Sequence, residues 1–286
     1  MIQKSTIQLL RIPFSFFLMP VFWFALSFVE SIHVTHAVLL FLIIHVLVYP
    51  ASNGYNSYMD RDSTSIGGIK NPLQPTSQLF VFTAIMDVAA VLLSLLISPL
   101  TATCIFIYIM FSRLYSYRPI RLKKYALISY IVVIFNQGSL IFFTVFNAVN
   151  NDAADVVPWA GCICATLLIG GFYPITQIYQ YKEDEKDHVE TISMLLGETG
   201  TFIFCGIIYT LAFFILFVYF LSIHKLLLFF ILFIFFIPVA IYFTVWFLQV
   251  NKNAGYADFK HTMRMNKIAS ACTNAAFITI LILNQL

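Results

Sequence analysis

The chain has 286 residues, of which 60% are hydrophobic and only 10% charged, with a net charge of +3 and a mean hydropathy of +0.89. That composition excludes an ordinary water-soluble domain and a disordered chain, and points to a polytopic membrane protein. The near-neutral balance says little about partners until the charges are placed along the chain.

Apolar stretches of about 20 residues, long enough to cross a bilayer, recur at roughly 10–30, 36–56, 78–98, 101–117, 126–148, 157–180, 200–222, 226–249 and 265–284. The pattern predicts an all-α fold of nine transmembrane helices, with residues 1–286 forming a single domain. No small-residue cleavage site follows the first run, so it reads as a retained span. The five cysteines, Cys104, Cys162, Cys164, Cys205 and Cys272, lie in or near apolar runs and read as small membrane or core residues.

Charge placement orients the spans. Fifteen of the sixteen Lys and Arg residues fall at the N-terminus or in loops after even-numbered spans, and only Lys225 falls on the other side. By the positive-inside rule the N-terminus and the even loops are cytoplasmic. The opposite loops, such as the Asp152–Asp155 turn, are short or acidic, which puts any chemistry on the cytoplasmic side.

Near the start, Arg11 either reaches a substrate diphosphate on that side or snorkels to lipid headgroups, with snorkelling slightly favoured. Span two ends in Tyr55-Asn-Ser-Tyr-Met-Asp-Arg-Asp-Ser-Thr64. Asn56 and Asp60 share a helix face; Asp62 joins them only if the helix unwinds after Asp60, as the following Ser-Ile-Gly-Gly run allows. These are the hard oxygen ligands that Mg²⁺ takes while it keeps waters for a substrate phosphate. A helix that simply ends in solvated polar residues fits as well.

Asp87 is the one carboxylate deep within a span, and is either functional or hydrogen-bonded inside the bundle. After span four, Tyr115-Ser-Tyr-Arg-Pro-Ile-Arg-Leu-Lys-Lys124 supplies cations for phosphate oxygens. Arg118 and Arg121 are the better candidates there, Lys123 and Lys124 being assigned to anionic lipid; Lys70 is a further cation. Asn136 and Gln137 in span five are candidates to line a cavity or to bond between helices. His45 and His188 read as structural. After span six, Gln177, Gln180, Asp184 and Asp187 fall in one stripe of a continuing helix, flanked by Tyr181 and Glu183; Lys182 and Lys186 could equally make this a solvated, salt-bridged end.

Two acidic helix ends with basic loops between them suit a diphosphate neutralised by Mg²⁺ and by Lys or Arg. A transporter fits less well, because its site would lie near the bilayer midplane on broken helices. Nine spans, Asn56-x-x-x-Asp60, the Tyr115–Lys124 loop, the second acidic cluster and Thr191-Ile-Ser-Met-Leu-Leu-Gly197 together resemble the UbiA superfamily of intramembrane prenyltransferases, over nearly the whole chain. The resemblance implies a nine-helix bundle around a central cavity open to the cytoplasmic side. It also implies a multi-pass protein of the cell membrane that moves a prenyl group from a polyprenyl diphosphate to a lipophilic, typically aromatic, acceptor with Mg²⁺. Some relatives cyclise the prenyl chain instead. On this resemblance Asp60 and Asp184 are catalytic, and Asn56, Asp60, Asp62, Asp184 and Asp187 hold metal. Lys70, Tyr115, Arg118, Arg121, Gln180 and Tyr181 contact diphosphate. The family's usual acid at position 64 is here Thr64, and acids common upstream of Asp184 are here Gln177 and Gln180. The expected partners are a prenyl diphosphate, a lipophilic acceptor and membrane lipids, not nucleic acid.

Overall fold

The computed structural model describes residues 2–151 and 157–285, so the Asp152–Asp155 turn lies outside the described residues. Among the described residues there is no strand beyond two isolated bridges; the chain is all-helical. By length and composition seven helices could cross a membrane: Val34–Asp60, Ser77–Ser94, Ala126–Val149, Trp159–Thr176, Ile192–Ser222, Leu226–Lys252 and Phe259–Gln285. Lys4–Phe17 and Met19–Leu26, bent by 41° at the break between them, make an eighth if they count as one. Pro99–Ser116 stands where a fourth span is expected; it carries Arg113 in its last turn and is not among the seven.

The bend of the first pair has a local cause. Arg11 adopts a left-handed φ of 49°, and Pro13 and Pro20, near the starts of the following helical segments, cannot donate backbone hydrogen bonds. Met19–Leu26 packs against Phe259–Gln285, which closes the bundle first helix to last. Asn274 Nδ2 donates to the Phe16 carbonyl (3.3 Å) and Asn284 Nδ2 to that of Ser27 (2.8 Å). The buried interior is largely aromatic and aliphatic, with Phe22, Phe24, Phe142 and Phe277 fully enclosed.

Two helices loosen where the interior becomes polar. Val34–Asp60 passes through a π-helical stretch at Ile43–Val48, just before Pro50, whose missing N–H cannot complete the regular ladder. Ala126–Val149 does the same at Phe135–Leu140, which swings Asn136 and Gln137 inward. At Gly138 a Cβ would stand 2.6 Å from the Thr166 Cα, so only glycine lets this helix lie backbone to backbone on Trp159–Phe172.

The expected helix continuing from span six through Asp187 does not form. Trp159–Phe172 tightens into a 3₁₀ turn at Pro174–Thr176, and a separate short helix runs Tyr181–Lys186. Pro174 removes a ladder donor there. Asp187 lies beyond the short helix, and His188 turns left-handed at φ 53°.

Candidate functional site

At one end of the bundle three connections meet: residues 61–76, 117–125 and 177–191. Val34–Asp60 stops at Asp60 because Arg61 turns left-handed, at φ 56°. The turn aims Asp62 into the same cavity as Asp60, which an unbroken helix could not do. Arg118 seals this helix end, donating from Nε to the Met59 carbonyl at 2.7 Å. The loops are tied to one another as well. Ser63 Oγ donates to Glu183 Oε1 (3.1 Å), and the Glu190 N–H donates to the Lys124 carbonyl (3.3 Å).

The cavity they cover has a volume of about 240 Å³, and its lining includes Arg11, Asn53, Asn56, Asp60, Asp62, Tyr115, Lys123, Asn136, Gln177, Gln180, Asp184 and Asn266. Asp60 is its most heavily engaged group. Its Oδ2 accepts from Asn56 Nδ2 at 2.9 Å and lies 2.6 Å from Lys123 Nζ, while its Oδ1 lies 3.3 Å from Arg121 Nη2. Asn56 also donates to Ser116 Oγ (3.0 Å), which joins this helix end to Pro99–Ser116. The Tyr115 hydroxyl meets that of Tyr173 at 2.7 Å.

Asp62 and Asp184 differ from Asp60. Burial pushes the Asp62 carboxyl up to about 6, with nearby Asp60 adding to the rise and Lys123 and Arg11 opposing it. Burial likewise pushes Asp184 up to about 7; Lys123 opposes, and Asp62, Asp60 and Asp187 add to the rise. Among the described residues neither carboxylate makes an ion pair. Desolvated acids crowded together favour their protonated forms until a cation arrives.

Of the residues singled out in the sequence, Asn56, Asp60, Asp62, Tyr115, Gln180 and Asp184 line this cavity, and Lys70, Arg118, Arg121, Tyr181 and Asp187 do not. Arg121 is 3% exposed and bridges Asp60 to Asp187, bonding the Asp187 carboxylate and also its carbonyl at 3.2 Å. It is a strut between loops. The Tyr181 hydroxyl turns away to Ser193, 2.8 Å from its carbonyl and 2.7 Å from its Oγ. Lys70 is exposed on the first loop. Asp87 pairs with Arg113, whose guanidinium lies 3.9 Å from the centre of the Tyr55 ring.

Two cations were misread in the sequence. Lys123, assigned to lipid, is only 9% exposed and sits on Asp60. Arg11, for which snorkelling was the favoured of two readings, points inward, donating to the carbonyls of Asn53 (3.2 Å) and Gly67 (3.4 Å). Asn53 escaped notice although its spacing was a signal, since Asn53, Asn56 and Asp60 lie at i, i+3 and i+7 on one face.

Among the described residues no three His, Cys, Asp or Glu side chains are grouped so as to hold a metal ion by themselves. The donor set nevertheless fits a hard cation that keeps other ligands: Asp62 and Asp184 have unbalanced charge, Asp60 and Asn56 adjoin them, and a diphosphate would complete the coordination.

The structure is a helical bundle with a carboxylate- and cation-lined cavity under three loops. The sequence matches the model of the UbiA prenyltransferase family over residues 17–268, and the chain belongs to that family. Its fold is similar to that of a UbiA homolog from Archaeoglobus fulgidus bound to GPP and Mg²⁺, at 17% identity and a TM-score of 0.70, covering 98% of this chain and 100% of that one. It is also similar to the apo structure of a UbiA homolog from Aeropyrum pernix K1 (17% identity, TM-score 0.72, 94% and 98% covered). A structure of digeranylgeranylglyceryl phosphate synthase shares 18% identity at a TM-score of 0.62, with 99% and 98% covered. No curated protein matches the sequence.

Proposed function

We propose that this protein is a Mg²⁺-dependent prenyltransferase that takes its prenyl group from a polyprenyl diphosphate and delivers it to a lipophilic, aromatic acceptor. The observation that carries the reading is the convergence of Asp60, Asp62 and Asp184 with Arg11 and Lys123 on one cavity, from segments far apart in sequence. The family match and the GPP and Mg²⁺ named for a homolog of the same fold support it.

In this reading Asn56, Asp60, Asp62 and Asp184 hold Mg²⁺, which supplies charge neutralisation at the diphosphate. Lys123 and Arg11 bind the phosphate oxygens that the metal leaves, with Tyr115 and Gln180 beside them. Asp187 acts through Arg121, keeping the third loop against Asp60. Aromatic side chains in the wall, including Tyr108, Tyr173 and Tyr179, stabilise developing allylic charge and exclude water.

The whole chain forms one domain in this account, with Pro99–Ser116 and the bent first pair completing nine spans. The loops carrying the site face the cytoplasm, as the charge asymmetry requires; a C-terminal reporter should then lie outside. The functional test supplies purified protein with prenyl diphosphates of several lengths, with and without Mg²⁺ and acceptor extract. Metal- and acceptor-dependent prenyl product supports the transferase. Terpene plus pyrophosphate from donor alone would make it a cyclase, and no pyrophosphate release at all would remove the reading.

A further inference from the structure

Asp87 does not line the cavity. It lies ten residues past Ser77 in Ser77–Ser94, about 15 Å from the loop end of that helix at 1.5 Å per residue. Arg113 stands in the last turn of Pro99–Ser116, where a snorkelling side chain would reach headgroups. It turns the other way. Asp87 Oδ2 accepts from both Nε (2.7 Å) and Nη2 of Arg113. Held at two nitrogens, the guanidinium lies 3.9 Å from the centre of the buried Tyr55 ring, a cation–π contact. Phe80 flanks the same ring at 6.2 Å. A Cβ on Gly54 would stand 2.8 Å from Thr83 Cγ2, so the helix bearing Asp87 is pressed against the one bearing Tyr55.

The Tyr55–Arg113 contact belongs to a row that aligns Val34–Asp60 with Pro99–Ser116 and the residues just after it. Ser52 Oγ meets Ser112 Oγ at 2.6 Å, Asn56 Nδ2 donates to Ser116 Oγ at 3.0 Å, and Arg118 Nε donates to the Met59 carbonyl at 2.7 Å. The two series ascend together, so a slip between the helices moves Asn56 against Ser116. Asn56 Nδ2 also donates to Asp60 Oδ2 at 2.9 Å. With both amide hydrogens committed, its Oδ1 is the atom left for a hard cation. The hydroxyl bonds in the row are neutral. The Asp87–Arg113 pair is charged on both sides, with side chains 14% and 22% exposed, and is the stronger hold.

We propose that Asp87 is a positioning residue for the metal site. Acting through Arg113 and the Tyr55 ring, it sets the register of Pro99–Ser116 against Val34–Asp60. That register fixes the aim of Asn56 Oδ1 and of the Asp60 carboxylate. Asp87 itself touches neither cation nor substrate. This role rests on the assignment of Asn56 and Asp60 to Mg²⁺ and adds to it a group outside the cavity.

The test titrates the purified, metal-free full chain with Mg²⁺ in the presence of inorganic pyrophosphate and follows Tm. Groups that orient metal ligands are worth roughly 10–100-fold in metal affinity, and Asp87→Asn should raise the Mg²⁺ midpoint about tenfold. Asp87→Leu combined with Arg113→Leu removes both charges without stranding either. Its metal-free Tm should stay close to the parent's, while its Mg²⁺ midpoint rises as in the single variant. Tyr55→Leu should raise the midpoint likewise; Tyr55→Phe keeps a ring under the guanidinium and should hold it within about twofold of the parent's. A double variant with the parent's midpoint would make the pair purely structural and overturn the proposal. Equal rises in Tyr55→Phe and Tyr55→Leu would overturn it too, and that comparison decides the matter if the double variant does not fold. A parent whose Tm ignores Mg²⁺ would remove the metal assignment along with this role; a responsive parent with unmoved variants removes the role alone.

Discussion

The two acidic clusters of the site look alike in sequence and differ in their surroundings. Asp60 is 4% exposed in its side chain and is met by Lys123, Arg121 and Asn56. Asp184, at the opposite wall, makes no ion pair among the described residues and is pushed up to about 7 by burial. Asp60 is neutralised by the protein's own cations; Asp184, like Asp62, is held short of a counter-charge. In the proposed function a divalent cation bound by Asp62 and Asp184 would remove the larger electrostatic penalty.

Substituting the two aspartates breaks or sharpens this contrast. Asp60→Asn leaves Arg121 and Lys123 buried without their anion, and breaking a buried pair from one side costs about 3–5 kcal/mol. Turnover should fall by about a hundredfold or more and Tm should drop. Asp184→Asn should lower turnover comparably and leave the metal-free Tm unchanged or raised, because it deletes a charge that lacks a partner. Equal losses of Tm in the two variants, measured by thermal unfolding in detergent, would erase the distinction between the walls.

Acidity provides the next test. Asp62 and Asp184 have carboxyls raised from 3.8 to about 6 and about 7, so between about pH 4 and 7 the metal-free fold binds more protons than the unfolded chain. Their contribution to stability is then greatest at low pH and is lost as pH rises through about 7. Mg²⁺ binds the ionised carboxylates, so its stabilising effect should run the other way, small near pH 5.5 and large near pH 8. A Mg²⁺-induced rise in Tm of the same size at both pH values would contradict the assignment.

Lys123→Gln should have a smaller effect. It removes one charge-assisted contact to the donor, so the KM for prenyl diphosphate should rise about tenfold. Loss of the Asp60 partner should be partly made good by Arg121. An unchanged donor KM would return Lys123 to a purely structural role.

How much of this was legible in the sequence follows from what each residue answers to. The helical runs and the pairing of Asn56 with Asp60 were readable, because hydrophobic length and i, i+4 spacing are local properties; that Asp184 faces them was read from the side of the membrane on which the charged loops fall and from the family resemblance. Arg11 and Lys123 were not, since a cation at a helix end snorkels or turns inward according to which carboxylate the fold places opposite it. The stripe from Gln177 to Asp187 misled by assuming one unbroken helix past Pro174. Arg121 was assigned to ligand in the sequence; its position between Asp60 and Asp187 depends on two loops that no local pattern relates.

The smallest expected effect belongs to Tyr181, which the sequence placed on the diphosphate. Its ring packs with the interior cluster around Phe202 and Trp246, and its hydroxyl bonds Ser193, which in turn meets Thr201 at 3.0 Å. This network lies beneath Gly197, where a backbone at φ 66° interrupts Ile192–Ser222. Tyr181→Phe keeps the ring and removes only the hydroxyl. The cost is that of a net hydrogen bond, about 0.5–1.5 kcal/mol, because the Ser193 hydroxyl can still bond Thr201. Tm should fall by a few degrees, with the KM for donor and its Mg²⁺ dependence unchanged. A rise in donor KM comparable to that of Lys123→Gln would mean that the hydroxyl turns into the cavity once substrate binds, and the second wall would then be organised by ligand as well as by the fold.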